Sequence, residues 1–276
     1  MIAGDAHMIL YKYLHPDRVD VLTNKMIRFT QPTIFNDPFE TELNIKRFAS
    51  EEYTRKVYDE LLEKKLSSVP KEFRQYVRKI MEKDESRECL NKKMGDLLPQ
   101  SKEVIKDTIA KNVGILSLTE EKNNLLMWSH YAFSHTGFVI GFDSQNEFLN
   151  FRRSEQDEFG YLKKVQYKQN RPSLNFAEMN SEDVFFTKSI HWAYEKEWRI
   201  LQILDNADYK DDPIYLFKFQ TAAVKEIILG DKIADSEKNN ILKIINANYD
   251  YVTIYQSKID ESEYKLNFEK IFVKGQ

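Results

Sequence analysis

Apolar positions along this chain fall mostly in short blocks that read as strands, interrupted by one long stretch where they recur at helical spacing. Residues 8–14 (MILYKYL) are aliphatic and aromatic and stop at His15-Pro16, where proline opposes continuation, so an opening strand is expected. Asp17 is placed to cap a short helix to about residue 25 that buries Val19, Leu22 and Met26, and residues 27–30 return as a second short strand. Phe35-Asn36-Asp37-Pro38-Phe39-Glu40 then reads as a turn anchored by two phenylalanines. Residues 115–119 predict a strand and 120–132 a helix, capped by Thr119 and burying Leu125, Trp128 and Ala132. Residues 137–143 form the clearest buried strand. Beyond it, 161–167, 213–219, 224–229, 252–257 and 264–268 read as strands, 182–190 and a capped 235–248 as helices, while residues 1–7 carry no such pattern.

The long helical stretch runs from 51 to 112. Of these 62 residues 28 are charged, 15 basic and 13 acidic, a balance that suits solvated helix faces rather than a polyelectrolyte tail. Val57, Leu61 and Leu62 mark one apolar stripe; Phe73, Val77, Ile80 and Met81 a second; Val104, Ile105 and Ile109 a third, with breaks expected near Pro70 and Pro99. The pattern therefore predicts a single α+β domain over 8–276, with a mainly antiparallel sheet and a charged helical insertion over 45–112.

Chemistry concentrates in Tyr194-Glu195-Lys196-Glu197-Trp198-Arg199-Ile200-Leu201. In an extended segment residues two apart share a face, so Glu195 and Glu197 would project together into one cleft. Like charges that close repel unless a cation or a ligand lies between them. A solvated strand edge is the bland alternative, and Arg199 as a simple counter-ion another. His130 and His135 lack the neighbouring ligands that a zinc site needs, so no metal is assigned to them.

Composition narrows the classes. With 42% hydrophobic and 31% charged residues the 276-residue chain can bury a core, and a net charge of −3 argues against wholesale phosphate binding. A single cysteine, Cys89, excludes an intrachain disulfide and suits a reducing cytoplasm. No stretch approaches the roughly 20 apolar residues of a membrane span, and no signal-peptide pattern opens the chain, so a cytoplasmic protein without a membrane partner is expected. Neither G-x-G-x-x-G nor a P-loop occurs.

Four segments together resemble the DUF2971 family of uncharacterised bacterial proteins: residues 10–13 (LYKY), 35–40 (FNDPFE), 126–132 (LMWSHYA) with His135 and Gly137, and 192–199 (WAYEKEWR). That resemblance implies no activity. A second resemblance is to the ADP-ribosyltransferase fold, a split sheet in which one strand carries His or Arg, another Ser or Thr before a helix, and a later one opens with Q/E-x-E. Residues 10–13, Ser117 to Thr119 and Glu195 to Glu197 follow that order, with the departure that Tyr11, Lys12 and Tyr13 stand where the family has His or Arg.

The second resemblance implies an NAD-dependent ADP-ribosyltransferase or NAD glycohydrolase, a bacterial toxin or phage-defence effector, with NAD as substrate and a nucleic acid or protein as acceptor. An antitoxin or chaperone partner is implied with it. Glu197 would stabilise the cationic ribose of the transition state and Glu195 would orient or deprotonate the acceptor. Tyr131 or Trp128 would stack on nicotinamide, Ser117 and Thr119 would line the pocket, and Lys12, Arg28 or Arg199 would pair with the diphosphate. Tyr11, Tyr13, Asn36, Asp37, Ser129 and His130 complete the expected dinucleotide site. Two rivals remain open: a metal-dependent nuclease with Asp37, Glu40, Glu195 and Glu197 around magnesium and Lys188 or Lys196 on a phosphate, and a non-enzymatic binding module.

Overall fold

Eight of the apolar blocks pair into one sheet in the computed structural model, which describes residues 8–81 and 84–273. The reading of residues 1–7 and the last three residues of the expected domain lie outside the described residues. The sheet strands are β1 (Ile9–Leu14), β2 (Val113–Thr119), β3 (Phe138–Asp143), β4 (Lys163–Lys164), β5 (Glu197–Ile203), β6 (Val224–Leu229), β7 (Thr253–Ile259) and β8 (Leu266–Val273). Their order across the sheet is β8-β7-β6-β3-β1-β2-β5-β4. All neighbours run antiparallel except β6 and β7, which are parallel and joined by the helix Asp235–Asn248. The protein is therefore mixed α+β with a large, mostly antiparallel sheet.

One joint in that sheet is narrow. β1 pairs with β3 through six residues, from Ile9↔Asp143 to Leu14↔Phe138, whereas β1 meets β2 at Tyr11↔Thr119 alone. β2 continues into β5 through seven pairs, beginning at Glu197↔Thr119. Tyr11, Thr119 and Glu197 thus lie in one row across three neighbouring strands. Past that row β1 and β2 separate, and the Lys12 ammonium fills the opening by donating to the Ser117 carbonyl at 3.0 Å.

Alternation sets the two faces. Leu10 and Leu14 of β1, Leu116 and Leu118 of β2 and Ile200 of β5 turn to the main core, where Ile241 and Ile245 of the helix Asp235–Asn248 cover the sheet. On the other face of β2 and β5, Ser117, Thr119, Glu197 and Arg199 replace apolar residues, and this is where the cavity described below opens.

The helical stretch forms α1 (Glu51–Ser67), α2 (Lys71–Met81) and α3 (Asp84–Asn112). Its packing corrects the expected stripes. α1 buries Thr54, Tyr58, Leu62 and Leu66 and leaves Leu61 exposed, while Phe73, Ile80 and Val104 are also exposed. Pro99 does not end a helix but lies inside α3.

Other local expectations are corrected by polar groups closer to hand. Asp17 caps nothing; the His15 ring accepts its N–H, and the short helix begins only at Asp20. Met26 is half-buried and opens the strand Met26–Arg28. α4 is Leu125–Tyr131, capped by Asn124, because the Thr119 hydroxyl is engaged with the Glu195 carbonyl and the Glu121 N–H. Asp235–Asn248 forms as expected but without a side-chain cap. Residues 161–167 divide between two strands in different sheets, and Lys188 lies on the short strand Thr187–Ser189, not on a helix.

Candidate functional site

The extended reading of residues 194–201 fails at one residue. Ile190–Glu195 is a 3-10 turn, Lys196 adopts the left-handed region at φ 42°, and β5 starts only at Glu197. Glu195 and Glu197 therefore do not share a face by strand alternation. They meet because the chain turns back between them and Lys188 takes the space enclosed.

The Lys188 ammonium lies 2.6 Å from Glu195 Oε2, 3.1 Å from Glu197 Oε2 and 3.3 Å from Glu40 Oε1. Arg199 closes the cluster: its Nε donates to Glu197 Oε1 at 2.7 Å, its Nη2 to Glu197 Oε2 at 3.0 Å and to Glu40, and its Nη1 to the Phe185 carbonyl at 2.6 Å. Every side chain in this set is at most 5% exposed. Three carboxylates face two cations, so the cluster holds a formal excess of one negative charge. Lys12, across the opening between β1 and β2, is the nearby cation that offsets it.

Burial and charge act against each other at each group. Burial alone would raise the Glu197 carboxyl, but Arg199 and Lys188 outweigh it and hold Glu197 down to about 2. For Glu40 burial prevails over the same two cations and the carboxyl is pushed up. Lys188 and Arg199 are both raised, because the surrounding carboxylates exceed the cost of burying them. Lys12 goes the other way. Burial, aided by Arg18 and Arg28, lowers it to about 8 against the pull of Glu197 and Glu195.

Hydroxyls complete the arrangement. Tyr131, on α4, donates to Glu195 Oε1 at 2.6 Å and accepts from Asn36 Nδ2 at 3.4 Å. The Tyr167 hydroxyl accepts the Glu197 N–H at 2.8 Å, and burial pushes its own proton loss up to about 12. Phe35 lies under the Arg199 guanidinium at 5.4 Å and Trp192 under Lys188 at 4.9 Å, so both cations rest on ring faces.

A cavity of about 290 Å³ opens onto this cluster. Of the residues singled out in the sequence, it brings together Tyr11, Lys12, Tyr13, Asn36, Ser117, Thr119, Tyr131, Glu195, Glu197 and Arg199, and Glu40 and Lys188 join them. Not all face inward with their polar ends: the Tyr11 hydroxyl donates to Glu226 and that of Tyr13 to the Glu121 carbonyl. Five others lie elsewhere. Trp128 is fully buried, with its Nε1 on the Lys122 carbonyl and its ring edge-on to Tyr13, so it packs rather than stacks on a ligand. Ser129 and His130 are exposed on the outer side of α4. Arg28, at the end of the strand Met26–Arg28, donates to the Pro213 carbonyl, and Asp37 borders a second cavity.

Sequence reasoning missed Tyr167 and the ring under Arg199. A lone tyrosine in a short strand gives no signal of its own, whereas Phe35 was visible only as a loop anchor. Among the described residues no group of three or more His, Cys, Asp or Glu side chains is placed to hold a metal ion, and no helix is long and apolar enough to cross a membrane. The acids of the nuclease reading do converge, except Asp37, but they converge on the Lys188 ammonium.

Fold and site together define a mixed α+β protein with a buried carboxylate and cation cluster forming the wall of a cavity. Residues 127–200 match the sequence model of the family described as "Protein of unknown function (DUF2971)". That stretch contains Tyr131, Tyr167, Lys188, Glu195, Glu197 and Arg199; β1 and Glu40 fall outside it. No curated protein and no solved structure matches the chain.

Proposed function

We propose that the chain cleaves the bond between nicotinamide and ribose in NAD, as an ADP-ribosyltransferase or NAD glycohydrolase. The observation that carries this reading is the row Tyr11, Thr119, Glu197 across adjacent strands, with an ionised and desolvated Glu197 at its end beside a cavity. Heterolysis leaves the electron pair on the nicotinamide nitrogen and positive charge on the ribose. A fixed, ionised carboxylate at that position stabilises the charge more in the transition state than in the ground state.

Glu195 is then the group that receives the proton of the attacking water or acceptor, and the Tyr131 hydroxyl and Lys188 fix its two oxygens. Lys12 is the cation available to an anionic part of the substrate, since its only hydrogen-bond partner among the described residues is the Ser117 carbonyl. About 290 Å³ is near the lower limit of small-molecule sites, which are roughly 300–1,000 Å³, and suits the nicotinamide riboside end. A divalent ion, as the nuclease reading requires, would first have to displace Lys188 from its three carboxylates.

The test is nicotinamide release from NAD by purified protein, with and without EDTA and with cell lysate as a source of acceptors. Release should be unaffected by EDTA and fall about 100-fold or more in Glu197→Gln, the scale of losing one fixed transition-state contact. Tyr131→Phe, which leaves the ion pairs intact, should fall by less. Absence of release from the wild type under all these conditions would overturn the proposal.

A further inference from the structure

The helices α1 and α2 form an antiparallel hairpin: the Tyr58 hydroxyl donates to the Met81 carbonyl near its open end, and Glu63 pairs with Arg78 at 2.6 Å nearer the turn. We propose that one face of this hairpin rests on an anionic lipid surface. The inference goes beyond the NAD reading and does not depend on it. It replaces the expectation of no membrane partner with a peripheral contact, which needs no spanning helix.

The pair of Glu63 and Arg78 marks one side of the hairpin. Residues advance by about 100° per position along a helix, so Leu61 and Lys65 of α1 and Phe73, Tyr76 and Ile80 of α2 turn to the opposite side. Only the edge of the apolar stripe on α2 is covered, where Val77 and Met81 pack on Tyr58, Leu62 and Leu66. Leu61, Phe73, Tyr76 and Ile80 are left between 45% and 68% exposed. Large apolar side chains gathered on one exposed face mark a contact surface.

Charge identifies what covers it. Residues 64–81 hold six basic side chains against one acidic, in a chain whose net charge is −3. Arg74 and Arg78 are used within the hairpin, Arg74 on the Val69 and Ser67 carbonyls and Arg78 on Glu63. Lys64, Lys65, Lys71 and Lys79 have no acidic partner among the described residues. A second copy docked on this face by two-fold symmetry would set Lys64 and Lys65 against their own equivalents, which like charge opposes. The apolar residues are spread over two neighbouring helices, a breadth that suits a plane better than a groove built for one helix. On an anionic bilayer the leucine, phenylalanine and isoleucine enter the acyl boundary, the tyrosine hydroxyl stays among the headgroups, and the lysine stems reach up to the lipid phosphates.

Sedimentation of the full chain with lipid vesicles tests this, comparing phosphatidylcholine alone with phosphatidylcholine containing about 30% phosphatidylserine. Saturable binding to the anionic vesicles is expected, tighter than to the neutral ones by about tenfold or more and weakened by added salt. Phe73→Ser together with Ile80→Ser should weaken it by about tenfold or more at an unchanged melting temperature, because both side chains are already exposed in the folded protein. Lys64→Gln together with Lys65→Gln should remove most of the preference for the anionic vesicles. No binding to the anionic vesicles, equal binding to the neutral ones, or equal binding by the Phe73 and Ile80 variant would each overturn the proposal; the comparison of the two vesicles needs no variant. A dimer of the wild type in light scattering that the same pair of substitutions abolishes would also overturn it, since a second copy would then cover the face.

Discussion

Glu197 carries a pH signature that separates its electrostatic role from mere packing. Its carboxyl is held at about 2 in the folded protein against an ordinary 4.5. The unfolded chain therefore binds more protons between these values, so the stability Glu197 contributes is complete above about pH 4.5 and is lost as pH falls through about 2. The shift corresponds to about 3 kcal/mol. Glu40 works in the opposite sense, since its raised value makes folding more favourable on the acid side. Urea unfolding of wild type and Glu197→Gln at pH 7 and pH 3 should show the variant weaker by about 3–5 kcal/mol at pH 7, the usual cost of breaking a buried pair, with the gap narrowing at pH 3. A gap independent of pH would remove the ionic account. Lys12 gives a second signature at this scale. Its value of about 8 means that binding of an anionic ligand in the first cavity should weaken as pH rises through 8, and Lys12→Met should abolish that dependence in a calorimetric titration. Both glutamates and Arg199 were legible from the motif. Lys188 was legible only as a candidate for a phosphate; its place between the acids was not, because residues 182–190 read as a helix until the turn at Lys196 brings the carboxylates around it.

At the scale of elements, the apolar blocks predicted where strands form better than how far helices reach or which stripe they bury. Residues 57 and 61 are spaced by one helical turn just as 58 and 62 are, so periodicity within α1 cannot choose between the two stripes. The choice is made by α2 and α3, whose Val77, Met81 and Leu90 pack on Tyr58, Leu62 and Leu66. That small cluster is separate from the main core, and this has a measurable consequence. Leu62→Ala should cost about 2–5 kcal/mol, more than so small a cluster can absorb locally. Hydrogen exchange should therefore accelerate across α1 and α2 while β1, β2, β3 and β5 keep their protection. Acceleration spread evenly over the sheet would mean that the helices and the sheet unfold as one unit. The strand partners were beyond reach for a different reason. β1 pairs with residues more than 100 positions away, and nothing in these blocks encodes register except the faces they must bury.

Across the whole molecule, the joint between β1 and β2 divides the sheet into a half with β1, β3, β6, β7 and β8 and a half with β2, β4 and β5. One residue pair and the Lys12 to Ser117 bond hold the joint at the rim of the first cavity. A substrate that contacts Lys12 on one side and Ser117 or Glu197 on the other bridges the two halves. Its binding energy then adds to the stability of the entire sheet rather than to one loop. At a hundredfold excess over its dissociation constant such a ligand stabilises the folded state by about 2.7 kcal/mol, which for a chain of this length is a rise in melting temperature of about 5–10 °C. NAD should produce that rise in the wild type, and Lys12→Met should lose most of it. Nicotinamide alone, which is neutral and cannot use Lys12 as an anionic group would, should give a smaller rise that Lys12→Met leaves unchanged. If NAD and nicotinamide shift the melting temperature equally, the ligand does not span the joint, and the two halves are coupled by the protein's own contacts alone.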